Sequence, residues 1–153
     1  RKQMSFDISA YMGDWYEVGR LPFMFENNCE SSSARYIYNK NLKIIQVANF
    51  CYSDSYFSEM SHFDMGVAKP STSESGGDLR IRFDRYPEFE SDYVVYETDY
   101  ISYSIVGSID KSLLWILTRE KKISRKALNS LIEKTKKFEF DLRFLILNNS
   151  MIY

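Results

Sequence analysis

Apolar and polar residues alternate along most of the chain, in short runs separated by turn-forming residues. The clearest run follows residue 78, where Leu79, Ile81 and Phe83 share one face and charged residues occupy the other. Such alternation is typical of strands with one buried face. The pattern predicts eight strands, which cover residues 13–21, 33–38, 42–51, 56–68, 79–86, 92–97, 101–108 and 112–119.

The period of the pattern changes after the eighth strand. Ser124 is a candidate helix N-cap, and the apolar residues after it recur at helical spacing as far as Phe138. A last strand is predicted over residues 140–147, and one 3₁₀ turn is predicted in the N-terminal segment. Sequential strands with short links and no crossover helices predict an all-β, up-and-down antiparallel barrel. The chain is expected to form a single domain over residues 1–153, with room for one small ligand inside the barrel.

The first predicted strand begins with a tryptophan that needs a cover. Trp15 follows Gly13 closely, and a buried tryptophan removes about 200 Å² from water while its N–H seeks a partner. The candidate cover is Arg119, at the end of the eighth predicted strand. A guanidinium over an indole ring stabilises by about 2 kcal/mol when desolvated, so we predict that the two side chains stack.

Composition and charge narrow the class of function. The net charge of −1 offers no basic footprint for nucleic acid. The longest uninterrupted apolar run, residues 113–117, is too short to span a bilayer. Aromatic residues make up 16% of the chain, which favours strands over helices. The chain starts at Arg1 rather than at methionine, as expected of a mature form without its signal peptide or of a trimmed chain.

The two cysteines are predicted to form a disulfide. An even count in a small β-rich chain favours a secreted protein with one disulfide. Folding the predicted hairpin about Lys40 and Asn41 places Cys51 opposite a residue near position 30, within reach of Cys29. The alternative is two buried free thiols. His62 has no second histidine or cysteine pair near it in sequence, so no metal site is expected.

Three short motifs, taken together and in this order, resemble those of the lipocalin family. They are Gly13-Asp14-Trp15-Tyr16-Glu17, Thr98-Asp99-Tyr100 and Trp115-Ile116-Leu117-Thr118-Arg119. The resemblance covers about residues 6–147 and points to the branch of apolipoprotein D and the bacterial outer-membrane lipocalins. It implies an eight-stranded calyx open at one end, with a C-terminal helix outside. It also implies that Trp15 and Arg119 close the other end.

The resemblance further implies a ligand site inside the barrel. The residues that match pocket positions of the family are Tyr36, Asn49, Phe83, Tyr93, Tyr103 and Trp115. Side-chain alternation supports Trp115, because it shares a strand face with Arg119. Asn49 and Tyr36 are expected to offer hydrogen bonds to a head group near the mouth. The expected ligand is a fatty acid, a lysophospholipid or a similar lipid, bound for transport or scavenging without catalysis and without a cofactor.

Two other functions stay open on the sequence. In the first alternative, the protein is a lipid-modifying enzyme that uses a free Cys29 thiol, as in lipocalins of the prostaglandin D synthase type. In the second, the protein carries a bilin or haem, as its relatives from insects do. The expected location is secreted, periplasmic or associated with an outer membrane, with a lipid anchor outside this chain as one route to a membrane. The expected partner is the small hydrophobic ligand rather than nucleic acid, and the protein is expected to be a monomer or a weak dimer.

Overall fold

An eight-stranded antiparallel barrel forms the body of the computed structural model, which describes residues 6–23, 28–70 and 78–153. The strand β1 pairs with both β2 and β8, which closes the sheet on itself. A short ninth strand pairs with the end of β1. This architecture confirms the predicted fold class. In chain order the strands are β1 Gly13–Arg20, β2 Ser31–Asn39, β3 Ile44–Tyr52, β4 Met60–Pro70, β5 Asp78–Phe83, β6 Ser91–Thr98, β7 Tyr103–Gly107, β8 Leu114–Thr118 and β9 Ile146–Leu147.

Two helices and a final 3₁₀ turn complete the described chain. Helix α1 (Ile8–Tyr11) is one α-helical turn capped by the side chain of Asp7, where the sequence predicts a 3₁₀ turn. Helix α2 (Arg125–Lys136) begins after Ser124, whose hydroxyl caps it as predicted. The 3₁₀ turn covers Asn149–Met151.

The connections between strands distinguish the two ends of the barrel. Gly13, at the start of β1, lies opposite Tyr36 in β2, and Tyr16 lies opposite Thr118 near the end of β8. The turns after β2 and after β6 therefore lie at the end that contains Trp15, which we term the closed end. The turns 84–90 and 108–113 lie at the opposite end, which we term the mouth.

Two separate apolar clusters stabilise the barrel from inside and outside. Alternation along β7 divides the strand between them, because Val106 packs in the interior cluster and Ile105 in the outer cluster. Trp15 is among the fully buried members of the interior cluster. Leu128 and Leu131 of α2 bury their side chains in the outer cluster, so the helix covers one side of the barrel.

At three of the predicted strand boundaries that differ from the structure, an aspartate favours a turn. Asp54 accepts three backbone N–H groups after β3, so β4 begins at Met60 rather than at residue 56. Asp99 does the same after β6, so β7 begins at Tyr103 rather than at residue 101. Asp141 forms a local turn in the same way, and the predicted strand over residues 140–147 is reduced to β9.

Candidate functional site

The closed end is sealed by Arg119, which stacks on Trp15 as predicted. The guanidinium carbon lies 3.7 Å from the centroid of the indole ring. The guanidinium N–H groups donate to the backbone carbonyls of Tyr100, Asp14 and Tyr11 over 2.9 to 3.2 Å. The indole N–H donates to the Tyr11 carbonyl at 2.9 Å. One side chain therefore ties together β1, the end of α1 and the turn after β6.

Two sequence motifs position this seal. Gly13 has a φ of +101°, where side chains are rare, and a Cβ there would lie 3.2 Å from a guanidinium nitrogen of Arg119. After β6, the Thr98 hydroxyl accepts the N–H of Tyr100, and the Asp99 carboxylate accepts the N–H groups that follow. Burial opposes ionisation of Asp99, but these hydrogen bonds and one from a serine hydroxyl outweigh it and lower its pKa. The turn thus holds the Tyr100 carbonyl at a fixed position for Arg119.

Three buried tyrosines form a floor inside the barrel, next to the seal. Tyr36 donates to the hydroxyl of Tyr93 at 3.0 Å, Tyr93 is hydrogen-bonded to Tyr11 at 2.8 Å, and Tyr11 to Ser104 at 2.7 Å. Burial raises the pKa of Tyr36 to about 12 and also raises the pKa of Tyr11 and of Tyr93. The phenols stay neutral, and their hydroxyl groups hydrogen-bond to one another and to Ser104. The floor therefore contains polar groups whose hydrogen bonds are already made within it.

The predicted pocket residues occupy different levels of the barrel. Tyr36 and Tyr93 lie together in the floor, so the prediction that Tyr36 meets a head group near the mouth is wrong. The register of β1 with β2 places it at the closed end instead. Phe83 and Trp115 are partly buried and pack against the interior cluster. Asn49 lies on the interior face of β3 by alternation and is exposed, which places it toward the mouth.

Tyr103 lies outside the barrel, so the prediction that it lines the pocket is wrong. The inward side chains of β7 are Ser104 and Val106, and alternation turns Tyr103 to the outer face. Its hydroxyl donates to the Glu97 carboxylate, and the ammonium group of Lys134 in α2 lies 5.7 Å from its ring centroid. Burial and the adjacent carboxylate raise the pKa of Tyr103.

An ion pair that the sequence analysis missed faces the barrel interior. Glu17 lies opposite Leu117 and Arg20 lies opposite Trp115, and both of these partners are interior residues. The Arg20 Nε lies 3.3 Å from a Glu17 carboxylate oxygen, with the side chains 11% and 13% exposed respectively. A β-bulge after Glu17 produces this arrangement, because strict alternation along β1 would turn residue 20 outward.

The interior wall near the mouth is polar on β3 and β4. Asn49 lies opposite Asp64, and the Arg85 Nε lies 2.9 Å from an Asp64 carboxylate oxygen. Moving from the closed end, the interior therefore presents paired phenols, then the partly buried rings of Phe83 and Trp115 with the Glu17–Arg20 pair beside Trp115, and then the polar groups of β3 and β4. A lipid bound with its acyl chain inward would therefore contact the aromatic rings with the chain and the polar residues with its head group.

Cys29 and Cys51 form the predicted disulfide, with their Cα atoms 5.2 Å apart. As a disulfide, Cys29 is not a thiolate, so the enzyme alternative lacks its nucleophile. Cys51 also lies opposite His62, and the ligand atoms of the three side chains lie within 4.8 Å of one another. While the two sulfurs are bonded to each other, they do not supply thiolates to a metal ion.

Comparison with known proteins places this chain in a family. The family profile described as Lipocalin-like domain matches residues 6–150. The chain is a lipocalin. Outer membrane lipoprotein Blc of Vibrio cholerae is 33% identical over 143 residues, which cover 92% of this chain and 81% of that protein. A putative lipocalin of Acanthamoeba polyphaga mimivirus is 32% identical over 153 residues, covering 95% and 86%. Apolipoprotein D of Rattus norvegicus is 28% identical over 125 residues, covering 76% and 62%.

Solved structures share the fold of this lipocalin. Insecticyanin from Manduca sexta gives a TM-score of 0.71 at 22% identity and covers 99% of this chain and 88% of its own. The amine binding protein of Rhodnius prolixus, solved as a tryptamine complex, gives 0.67 at 16% identity, with coverage of 97% and 84%. At these identities the likeness shows the fold alone. In the part of this lipocalin that the structure describes, no helix combines the length and the apolar character needed to cross a membrane.

Replacing Arg119 with alanine is expected to lower the free energy of unfolding of this lipocalin by roughly 2 kcal/mol or more. The indole would lose its cover, and backbone carbonyls at the closed end would lose their donor. Denaturant titration followed by circular dichroism measures the change. Arg35→Ala is the matched control, because Arg35 pairs with the Asp14 carboxylate on the exposed outer face and should matter little. Equal losses in the two variants would contradict a special role for the stack.

Removing one partner of the Glu17–Arg20 pair is expected to cost more than removing both. Arg20→Met should destabilise this lipocalin by about 3 kcal/mol, because it leaves a carboxylate facing the interior without the guanidinium. The double variant Glu17→Gln/Arg20→Met should recover most of that loss. Urea unfolding of the two single variants and the double variant measures the coupling. Strictly additive losses would rule out the pairing.

Proposed function

We propose that this lipocalin binds a single-chain lipid in its barrel interior and carries or scavenges it without chemical change. The observation that supports this most directly is the order of surfaces inside the barrel. Paired phenols lie next to a sealed end, the partly buried rings of Phe83 and Trp115 follow, and polar groups lie toward the mouth. Membership of the lipocalin family supports a small hydrophobic ligand.

The proposed acyl chain runs along Trp115 and Phe83 and ends on the floor at Tyr36 and Tyr93. Burying about ten methylenes provides roughly 8 kcal/mol of transfer free energy. Loss of rigid-body freedom costs at least about 4 kcal/mol, and dispersion contacts with the aromatic walls offset part of that cost. The balance corresponds to a dissociation constant between about 1 μM and 1 mM, and the aromatic walls favour the tighter end.

The proposed head group lies on the mouth side of Trp115 and Phe83, within reach of the Glu17–Arg20 pair beside Trp115 and of Asn49 toward the mouth. The two charged side chains neutralise each other, so neither sign of head group is favoured by net charge. A fatty-acid carboxylate would approach Glu17 as well as Arg20, whereas a zwitterionic head group has an ion for each of them. The Asn49 amide offers one more donor and acceptor. We therefore propose a zwitterionic or neutral lysolipid ahead of a free fatty acid.

The proposed place of action is outside the cytoplasm. The Cys29–Cys51 disulfide supports an oxidising compartment. The Vibrio cholerae relative is named an outer membrane lipoprotein, which supports a secreted, periplasmic or outer-membrane-associated location for this lipocalin.

The alternative ligand, a bilin or haem, absorbs visible light. A visible absorption band in the purified protein would therefore favour that alternative over a lipid.

Calorimetric titration with lysophospholipids and fatty acids of C12 to C18 chain length tests the proposal. We expect micromolar dissociation constants that fall as the chain lengthens, because each buried methylene adds about 0.8 kcal/mol. Trp115→Ala should weaken binding by roughly tenfold or more, since it removes the largest proposed contact. Tyr103→Phe is the control and should leave the affinity unchanged, because Tyr103 lies outside the barrel. No binding at any chain length, or equal weakening in both variants, would refute the proposed site.

A further inference from the structure

The two cysteines and the one histidine of the chain lie together toward the mouth of the barrel. The ligand atoms of Cys29, Cys51 and His62 are all within 4.8 Å of one another. We term these three residues the Cys–His cluster. Thiolate and imidazole are the ligands that Zn²⁺ prefers in proteins. The spacing of the three residues in sequence predicts no metal site, because only the pairing of strands brings them to one place.

Backbone hydrogen bonds hold the Cys–His cluster together without help from the disulfide. Cys51 lies near the end of β3, directly opposite His62 of β4. Cys29 precedes β2, and the backbone N–H of its neighbour Glu30 donates to the Tyr52 carbonyl at 2.9 Å. This bond ties the segment of Cys29 to the end of β3. We therefore expect the two sulfurs and the imidazole to stay close when the disulfide is reduced.

The surroundings of His62 suit a metal ligand. Cys51 is buried, whereas Cys29 and His62 are partly exposed, so one side of the Cys–His cluster is open to solvent. The Ser61 hydroxyl lies 3.3 Å from Nδ1 of His62. One ring nitrogen therefore has a hydrogen-bond partner, and the other is available to a metal ion. Histidines that bind metals commonly have such a partner, which fixes the orientation of the ring.

We propose that reduction of the Cys29–Cys51 disulfide converts the Cys–His cluster into a site for Zn²⁺. A dithiol supplies two electrons and two protons and becomes a disulfide itself, while the sulfur–sulfur bond of the protein breaks. Zn²⁺ then replaces the two thiol protons, which pass to solvent, and is bound by two thiolates and one imidazole. Three protein ligands leave the fourth tetrahedral position to a water molecule.

The disulfide and the metal ion exclude each other in this site. Sulfur atoms that are bonded to each other do not act as thiolate ligands, so oxidation of the site expels Zn²⁺. Either form cross-links the segment before β2 to β3. The chain therefore keeps a cross-link at this place in a reducing compartment that contains zinc, and it keeps the disulfide in the oxidising compartment proposed above.

The proposed metal site is independent of the proposed lipid ligand. The lipid titrations use the oxidised protein, in which the disulfide is intact. Failure of lipid binding therefore leaves the metal site standing, and failure of metal binding leaves the lipid site standing.

Titration of the reduced and the oxidised protein with Co²⁺ tests the site. The disulfide is reduced with a phosphine, which is removed before the titration under nitrogen. We expect one Co²⁺ per reduced chain, with the absorption bands of thiolate ligation and of tetrahedral geometry, and Zn²⁺ should displace it. The oxidised protein should show neither band. The same bands in the oxidised protein, or no bands in the reduced protein, would overturn the proposal.

Substitution of His62 distinguishes a three-ligand site from two adjacent thiols. In the reduced chain, His62→Ala should weaken Zn²⁺ binding by at least about tenfold, because it removes one of three protein ligands. Asp64→Asn is the control and should leave the affinity unchanged. Asp64 is the next residue on the same face of β4, and its carboxylate is paired with Arg85 at 2.9 Å. Competition with a chromophoric chelator measures both affinities, and equal weakening in the two variants would contradict the assignment of His62.

Thermal unfolding shows whether the metal ion replaces the disulfide as a cross-link. Saturating Zn²⁺ should raise the unfolding midpoint of the reduced protein by several degrees and leave that of the oxidised protein unchanged. If reduction alone unfolds the chain, Zn²⁺ should restore its native circular dichroism. Zn²⁺ that binds the reduced chain without raising its midpoint or restoring its fold would show that the folded Cys–His cluster is not the site.

Discussion

The stack of Arg119 on Trp15 is the interaction on which the rest of the structure depends. A barrel is open at both ends unless side chains cover them. Water that entered from both ends would prevent a dry interior. Arg119 seals one end with a single side chain, because its planar donors reach carbonyls of β1, α1 and the turn after β6 while its face covers the indole. The Tyr11 carbonyl accepts from both Trp15 and Arg119, and the Tyr11 hydroxyl anchors the phenol floor. The seal and the floor are therefore one connected unit.

One local irregularity in β1 brings a charged pair into the barrel interior. Strict alternation would turn Glu17 inward and Arg20 outward, but the bulge after Glu17 turns Arg20 inward as well, opposite Trp115. A charged group in such a place is costly unless it is paired, and Glu17 provides the opposite charge. The bulge therefore places charged, hydrogen-bonding side chains beside the ring of Trp115. In the proposed complex, the junction between the acyl chain and the head group of the lipid lies at this level.

Features that follow from periodicity were predictable from the sequence, whereas the strand boundaries and contacts set by local turns were not. The alternation of Leu79, Ile81 and Phe83 sets which face of β5 is buried, and helical spacing after Ser124 sets where α2 begins. The side on which Tyr103 lies depends on the register of β7 with β8, which places Ser104 rather than Tyr103 opposite the interior residue Leu117. Tyr11 joins the floor only because α1 lies across the closed end. No spacing in the sequence encodes that contact.

Fluorescence quenching by a lysophospholipid that carries bromine atoms along its acyl chain tests most directly whether the ligand occupies the interior above the floor. The chain has two tryptophans, of which Trp115 is partly exposed inside the barrel, and Trp15 is fully buried beneath Tyr11 and Arg119. We expect strong quenching in the wild-type protein and little in Trp115→Phe, in which only Trp15 emits, with calorimetry showing that the variant still binds. Equal quenching in both proteins, or bound lipid without quenching in either, would contradict this placement.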